Sequence, residues 1–243
     1  MSRINELIEA QLKTLPPKPD DKSSSADKKR YSELVSQVIA LAVAEELRLR
    51  GLDEARPAGE GVLGGSGAER RMAGGLGSKK VDVTWATEES GLLMAISVKT
   101  INFKDNRTNN YQKNLTNRRG DMLMEAVTLH RRFPYSVLAA FFFLDSGAEK
   151  DGTRKRRSTF INAHARLRLF TDRKDPAGRE EQYEKFYLIL LEASPDAVNI
   201  RPYRVGDPEN EISLSQMLDE LLELVAERNP DFYEYSEGRL TRL

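Results

Sequence analysis

Asp82 and Lys99 stand in two short stretches, Lys79-Lys-Val-Asp82-Val-Thr-Trp and Leu92 to Lys99, the second closing Ile-Ser97-Val98-Lys99. A carboxylate and an ammonium brought together at a sheet edge suit phosphodiester chemistry. A hard cation such as magnesium, held by carboxylate and carbonyl oxygens, polarises a phosphate and lowers the pKa of a bound water. A neighbouring lysine can orient or help deprotonate that water and neutralise the charge that develops. The same residue types would also serve an ordinary surface hairpin with a solubilising outer face.

Strand side chains alternate between faces. Over Lys79 to Ala86 this puts Val81, Val83 and Trp85 on one side and Lys80, Asp82 and Thr84 on the other. Over Leu92 to Thr100, Met94, Ile96 and Val98 share a face opposite Ser97 and Lys99. The turn-like Thr-Glu-Glu-Ser-Gly of 87–91 joins the two as an antiparallel hairpin, so Asp82 can meet Ser97 and Lys99. Around it the pattern predicts a helix from Glu33 to Arg50, closed by Gly51, and a glycine-rich loop over 51–78. A helix over Asp121 to Arg132 follows, then an apolar strand from Ser136 to Leu144. Next come a helix over Ser158 to Phe170, a second apolar strand over Lys185 to Ala193, and an amphipathic helix over Ile212 to Arg228. Continuous apolar runs suit strands buried on both faces. The order implies an α/β fold, a mixed β-sheet flanked by helices. Residues 1–30 read as an N-terminal arm and flexible linker, 31–200 as the core, and 201–243 as a helical extension packed on it.

Asp82 followed after a strand and a turn by Ser97-Val98-Lys99 resembles the bipartite motif of the PD-(D/E)XK nucleases, the superfamily of most type II restriction endonucleases. The resemblance covers roughly Tyr31 to Ala193. It implies a restriction-endonuclease-like core, with Asp82 as metal ligand, Lys99 as catalytic lysine and the Val98 carbonyl as a further ligand. The implied activity is magnesium-dependent hydrolysis of double-stranded DNA in restriction or defence, with manganese able to substitute. Two positions depart from the pattern. Val81 stands where a proline commonly precedes the aspartate, and Ser97 stands where an acid is expected. A hydroxyl is a poor ligand for a hard divalent ion, so one negative ligand is missing from the hairpin. Some restriction endonucleases of this superfamily have the same Ser-x-Lys arrangement and recruit a glutamate from a neighbouring helix.

Two glutamates are candidates for that ligand. Glu45 continues the row Leu34, Val38, Leu41 at spacings of 4, 3 and 4, which places a carboxylate on an apolar stripe, costly unless it is paired or binds a metal. Glu125 shares a helix face with Asp121, Thr128 and Arg132, which reads as a solvated face. Glu45 is therefore preferred and Glu125 is the rival.

Formal net charge is zero, yet Lys99 to Lys174 carries 17 basic against 7 acidic residues, and Asp175 to Leu243 carries 7 against 16. A split of this kind points to a polyanion-binding face. Within the basic segment, Lys104, Arg107, Asn110, Gln112, Lys113, Asn117, Arg118 and Arg119 bring cations and amides with little acid, suited to phosphates and base edges. Arg154 and Arg156 belong to a second basic cluster. Zero cysteines exclude disulfides, thiolate zinc sites and cysteine nucleophiles, and two histidines, His130 and His164, argue against a histidine-rich metal site. His130 reads as a packed core residue. The glycines at 64–67 lack the order of a phosphate-binding loop and read as a mobile loop able to close over a nucleic acid. No stretch approaches the ~20 apolar residues of a membrane helix, so a cytoplasmic location is expected, with a homodimer as one form of assembly. The competing reading is a nucleic-acid-binding module that keeps the fold and lacks the chemistry, as Ser97 would suggest.

Overall fold

The structure, a computed structural model, describes residues 2–58, 71–174, 176–193 and 198–243. The glycines at 64–67 lie outside the described residues.

The chain opens with α1 (Arg3–Leu12) and α2 (Ser25–Leu49). The amino-terminal arm is helical and packed on the core. Ile4, Ile8 and Leu12 repeat every four positions and are buried in the core, and Arg3 is held to the buried Glu46 at 2.7 and 3.0 Å. α2 starts eight residues earlier than its apolar pattern suggests. Ser24 caps it by accepting from the Asp27 N–H at 3.1 Å, which stabilises a first turn that contains no apolar anchor.

A small hairpin, β1 (Arg71–Gly74) and β2 (Gly77–Lys80), occupies part of the stretch expected to be loop. Then come β3 (Val83–Thr87) and β4 (Gly91–Ile101), paired antiparallel as the sequence suggests, with Val83 opposite Ile96 and Thr87 opposite Gly91. They lead to α3 (Leu115–His130), β5 (Val137–Asp145), α4 (Thr159–Leu167), β6 (Lys185–Ala193) and β7 (Val198–Arg204). Strands β3 to β7 lie in sequence order in one sheet. β4, β5 and β6 are parallel, and the two edges are antiparallel. The chain ends with α5 (Leu214–Arg228) and the hairpin β8 (Tyr233–Ser236) and β9 (Arg239–Arg242).

The central strand explains the layering. Along β5, Val137, Ala139, Phe141 and Phe143 enter one core with α1, α2 and α5, whereas Leu138, Ala140, Phe142 and Leu144 enter the other with α3 and α4. An unbroken apolar run is what a strand covered on both faces requires, and each Phe so buried contributes about 2–3 kcal/mol. The result is a mixed sheet between two helical layers. Residues 201–243 are built into this sandwich and are not a helical extension alone. Arg201 to Arg204 complete β7, and Leu214, Met217, Leu218 and Leu221 of α5 fill the α2-side core. The Leu240 N–H donates to the Arg50 carbonyl at 2.8 Å. Gly51, at φ +100°, passes so close to Leu240 that a Cβ would collide with its carbonyl oxygen, so glycine is required there.

Candidate active site

Asp82 lies in neither β2 nor β3. β3–β4 pairing stops at Val83 and Ile96, and the chain bends through residues 81 and 82. The expected alternation breaks at this point, since Val81 packs in the α3-side core and Val83 and Trp85 in the α2-side core. The bend gives Asp82 its position. Beyond Ile96, β4 has no strand partner on that side, and the Val98 N–H donates instead to Asp82 Oδ2 at 2.7 Å. Lys99 Nζ donates to the same oxygen at 3.0 Å.

Lys99 projects from the β4 face that α3 covers, and α3 supplies a second acid. Glu125 Oε2 lies 3.8 Å from Lys99 Nζ, and the Glu125 side chain is only 4% exposed. Burial is the largest influence on Lys99 and acts to release its proton, but attraction to Glu125 and Asp82 together outweighs it, leaving the pKa raised. Paired with both acids, the Lys99 ammonium is placed to neutralise negative charge.

Glu45 is not brought to this pair. α2 covers the face carrying Met94, Ile96 and Val98, opposite to that of Lys99. Ser36 of α2 meets Thr100 at 3.4 Å, and Glu45 lies nine residues further on, about 13 Å along the helix, where its charge acts on Arg48. The buried row of α2 is Tyr31, Val35, Ile39, Ala42 and Glu46, one position from the stripe read in the sequence. The buried row of α3 includes Leu115, Met122, Ala126 and Leu129, with Leu123 and Val127 only half-buried. That rotation turns Glu125 inward. The 7-4-3 spacing of those four apolar residues was the available signal.

Ser97 shares a face with Lys99 but is sealed beneath α3. It is 1% exposed, and its hydroxyl lacks a hydrogen bond of good geometry. Its neighbour is the Tyr183 phenol, which donates to the Met122 carbonyl at 2.9 Å. Tyr183 is held far above its ordinary pKa by burial and by the nearby charges of Glu125 and Asp82.

Asp82, Val98 and Lys99 form part of the lining of a cleft of about 1020 Å³ at the carboxyl end of β4. Of the sequence-predicted binding residues, Lys104, Arg107, Lys113, Asn117 and Arg118 line this cleft. Asn110 and Gln112 instead shape the loop. Asn110 donates to the Thr108 carbonyl at 3.0 Å and accepts from the Gln112 N–H at 2.9 Å. Arg119 lies over the Phe170 ring. Arg154 and Arg156 stand on the loop after β5, outside the cleft lining, and Arg156 folds back on Asp151. The sequence did not assign the opposite wall, where Ser25, Lys28, Lys29, Glu33 and Gln37 of α2 line the same cleft. A second depression of about 490 Å³, bounded by Glu223, Tyr233, Tyr235 and Leu243, lies apart from these groups.

No three His, Cys, Asp or Glu side chains form a metal-ligand cluster among the described residues. The donor set at Lys99 is two carboxylates plus the Val98 carbonyl, which a strand directs to the same side as the N–H that Asp82 accepts. That set fits magnesium, which is commonly held by one or two carboxylates and keeps several waters. His130 is a core residue, as expected, bonded to the Glu180 carbonyl at 2.9 Å and to Glu184 at 3.3 Å. No helix among the described residues is long and apolar enough to cross a membrane. No protein-family model, curated protein or solved structure matches this chain.

Proposed function

We propose that the protein is a magnesium-dependent endonuclease of the PD-(D/E)XK kind, hydrolysing phosphodiester bonds of DNA in a restriction or defence role. The observation that carries the reading is Lys99, held between Asp82 and Glu125, with Asp82 and Lys99 opening on a cationic cleft. Asp82, Glu125 and the Val98 carbonyl would hold the ion, which when bound supplies Lewis acidity toward the phosphate and an acidified water. Glu125 takes the place of the acid missing at Ser97. Lys99 keeps its proton and aims Asp82, and its charge offsets that of the phosphorane-like transition state. Lys104, Arg107 and Arg118 hold the phosphates of the strand being cut.

The test is cleavage of supercoiled plasmid with and without magnesium. Asp82→Asn, Lys99→Met and Glu125→Gln are each expected to lower the rate by about 100-fold or more, and Glu45→Gln to leave it within about twofold. The proposal is refuted if the Asp82 and Lys99 variants digest as fast as the parent protein. A second reading is favoured by Ser97 and by the engagement of both acids with Lys99. On it the protein binds DNA and yields no magnesium-dependent product.

A further inference from the structure

The start of α2, Ser25 to Arg30, reads in sequence as the end of a linker, yet with the residues that follow it forms one wall of the cleft. Lys28 donates to the Asp21 carbonyl at 2.8 Å and has no carboxylate within ion-pair distance among the described residues. Lys29 is 78% exposed and only loosely paired with Glu33, at 3.8 Å. Across the cleft, Arg107 and Arg118 have no carboxylate partner among the described residues either, and Lys104 lies over the Tyr111 ring. The lining as a whole carries eight basic side chains against four acidic ones, in a protein whose net charge is zero. Both walls therefore present uncompensated cations, with Asp82 and Lys99 between them.

Size limits what can enter. Spread along a wall of about 18 Å, a volume of 1020 Å³ makes a trough about 8–9 Å wide, narrower than the ~12 Å major groove of a duplex. The wall from Ser25 to Gln37 runs about 18 Å, the length of at most about five nucleotides, counted at the ~3.4 Å spacing of a fully stacked strand. Gln37, Asn106, Asn114 and Asn117 add amides to the lining, and in an unpaired strand such groups can reach the Watson–Crick edges of bases as well as the phosphates.

We infer that α2 supplies a second phosphate-binding wall through Lys28 and Lys29, and that the cleft takes one unpaired strand of nucleic acid, at most about five nucleotides of it, between the two walls. This rests on the cleft being the nucleic-acid site, and it narrows the substrate from duplex DNA to single-stranded or locally opened DNA.

The experiment is fluorescence anisotropy in EDTA, using labelled single-stranded DNA of about six and about twelve nucleotides and a hairpin duplex of about twelve base pairs. The strand is expected to bind about tenfold more tightly than the hairpin, and the six-nucleotide strand nearly as well as the longer one. Lys28→Gln/Lys29→Gln is expected to lose about tenfold in strand affinity. Its plot of log affinity against log salt should be shallower by about 1.4, for two phosphate contacts on a single strand. Arg166→Gln, on the exposed side of α4, should change neither, and circular dichroism reports whether α2 stays folded. Equal affinity for hairpin and strand overturns the inference without any variant. So does a folded double variant that keeps both affinity and slope. Because no magnesium is present, strand binding without plasmid cleavage removes only the hydrolytic reading. Cleavage with a silent Lys28/Lys29 pair removes only this one.

Discussion

Lys99→Met isolates the charge balance on which the site depends. Lys99 Nζ lies 3.0 Å from Asp82 Oδ2 and 3.8 Å from Glu125 Oε2, and the three side chains are 16%, 18% and 4% exposed. At an effective dielectric of about 20, the two attractions come to about 4–6 kcal/mol each before the cost of burying the ions. Methionine keeps the volume and removes the charge. Two carboxylate oxygens no more than about 7 Å apart then repel by about 2 kcal/mol on the same scale. With the relief of lysine desolvation counted, the variant should lose about 3–5 kcal/mol, the usual cost of breaking a buried pair from one side. A divalent ion bound between the acids would restore the missing positive charge. At one hundred times its Kd it adds about 2.7 kcal/mol, and it should stabilise the variant more than the parent, where Lys99 competes for the same oxygens. The assay is urea unfolding in EDTA and in magnesium or manganese. A loss below about 1 kcal/mol in EDTA would show that the three charges are not coupled as the distances imply. A divalent ion that raises parent and variant equally would show that the acids do not form an ion site.

Two further outcomes test the fold around the site. His164 is buried, accepts from the Gly206 N–H at 3.0 Å through Nδ1, and is pushed down to about 4 by burial, with Asp207 opposing. Its contribution to stability is complete above the unfolded value near 6.5 and is lost as pH falls toward 4, because the unfolded chain takes up the proton first. The loss is on the order of 2 kcal/mol, read as the difference between the parent and His164→Gln in urea unfolding at pH 7.5 and pH 4.5, and identical pH profiles would contradict it. Glu184 is fully buried, accepts from the Leu138 N–H, Arg173 and Arg228 at 2.7–2.9 Å, and lies 3.3 Å from His130 Nε2. Burial opposes its ionisation, but those neighbours keep its pKa below the ordinary value. Glu184→Gln strands two guanidinium groups and should cost about 3–5 kcal/mol, and a change under about 1 kcal/mol by equilibrium unfolding would refute that account.

Local pattern alone was enough for the centre of the molecule. The apolar runs of β5 and β6 read as strands covered on both faces, and β6 spans Lys185–Ala193 as the sequence suggests. The turn at 87–91 and the alternation along β4 likewise made the hairpin and the face of Lys99 legible, while the bend at residues 81 and 82 completes the approach of Asp82. These features depend on neighbours within a strand or across one turn. β7, with Pro202 and weak alternation, and the β8–β9 hairpin carried no comparable signal, since edge strands and small ribbons are half-solvated. The second acid was beyond local pattern. Glu45 and Glu125 both sit on amphipathic helices, and which one reaches Lys99 depends on which helix covers which side of the sheet and how far it is rotated about its axis. The layered packing put α2 against Met94, Ile96 and Val98, and α3 against Ala95 and Ile101. Side-chain period alone says that a helix has an inner face, and only contact with the other layers decides what that face meets.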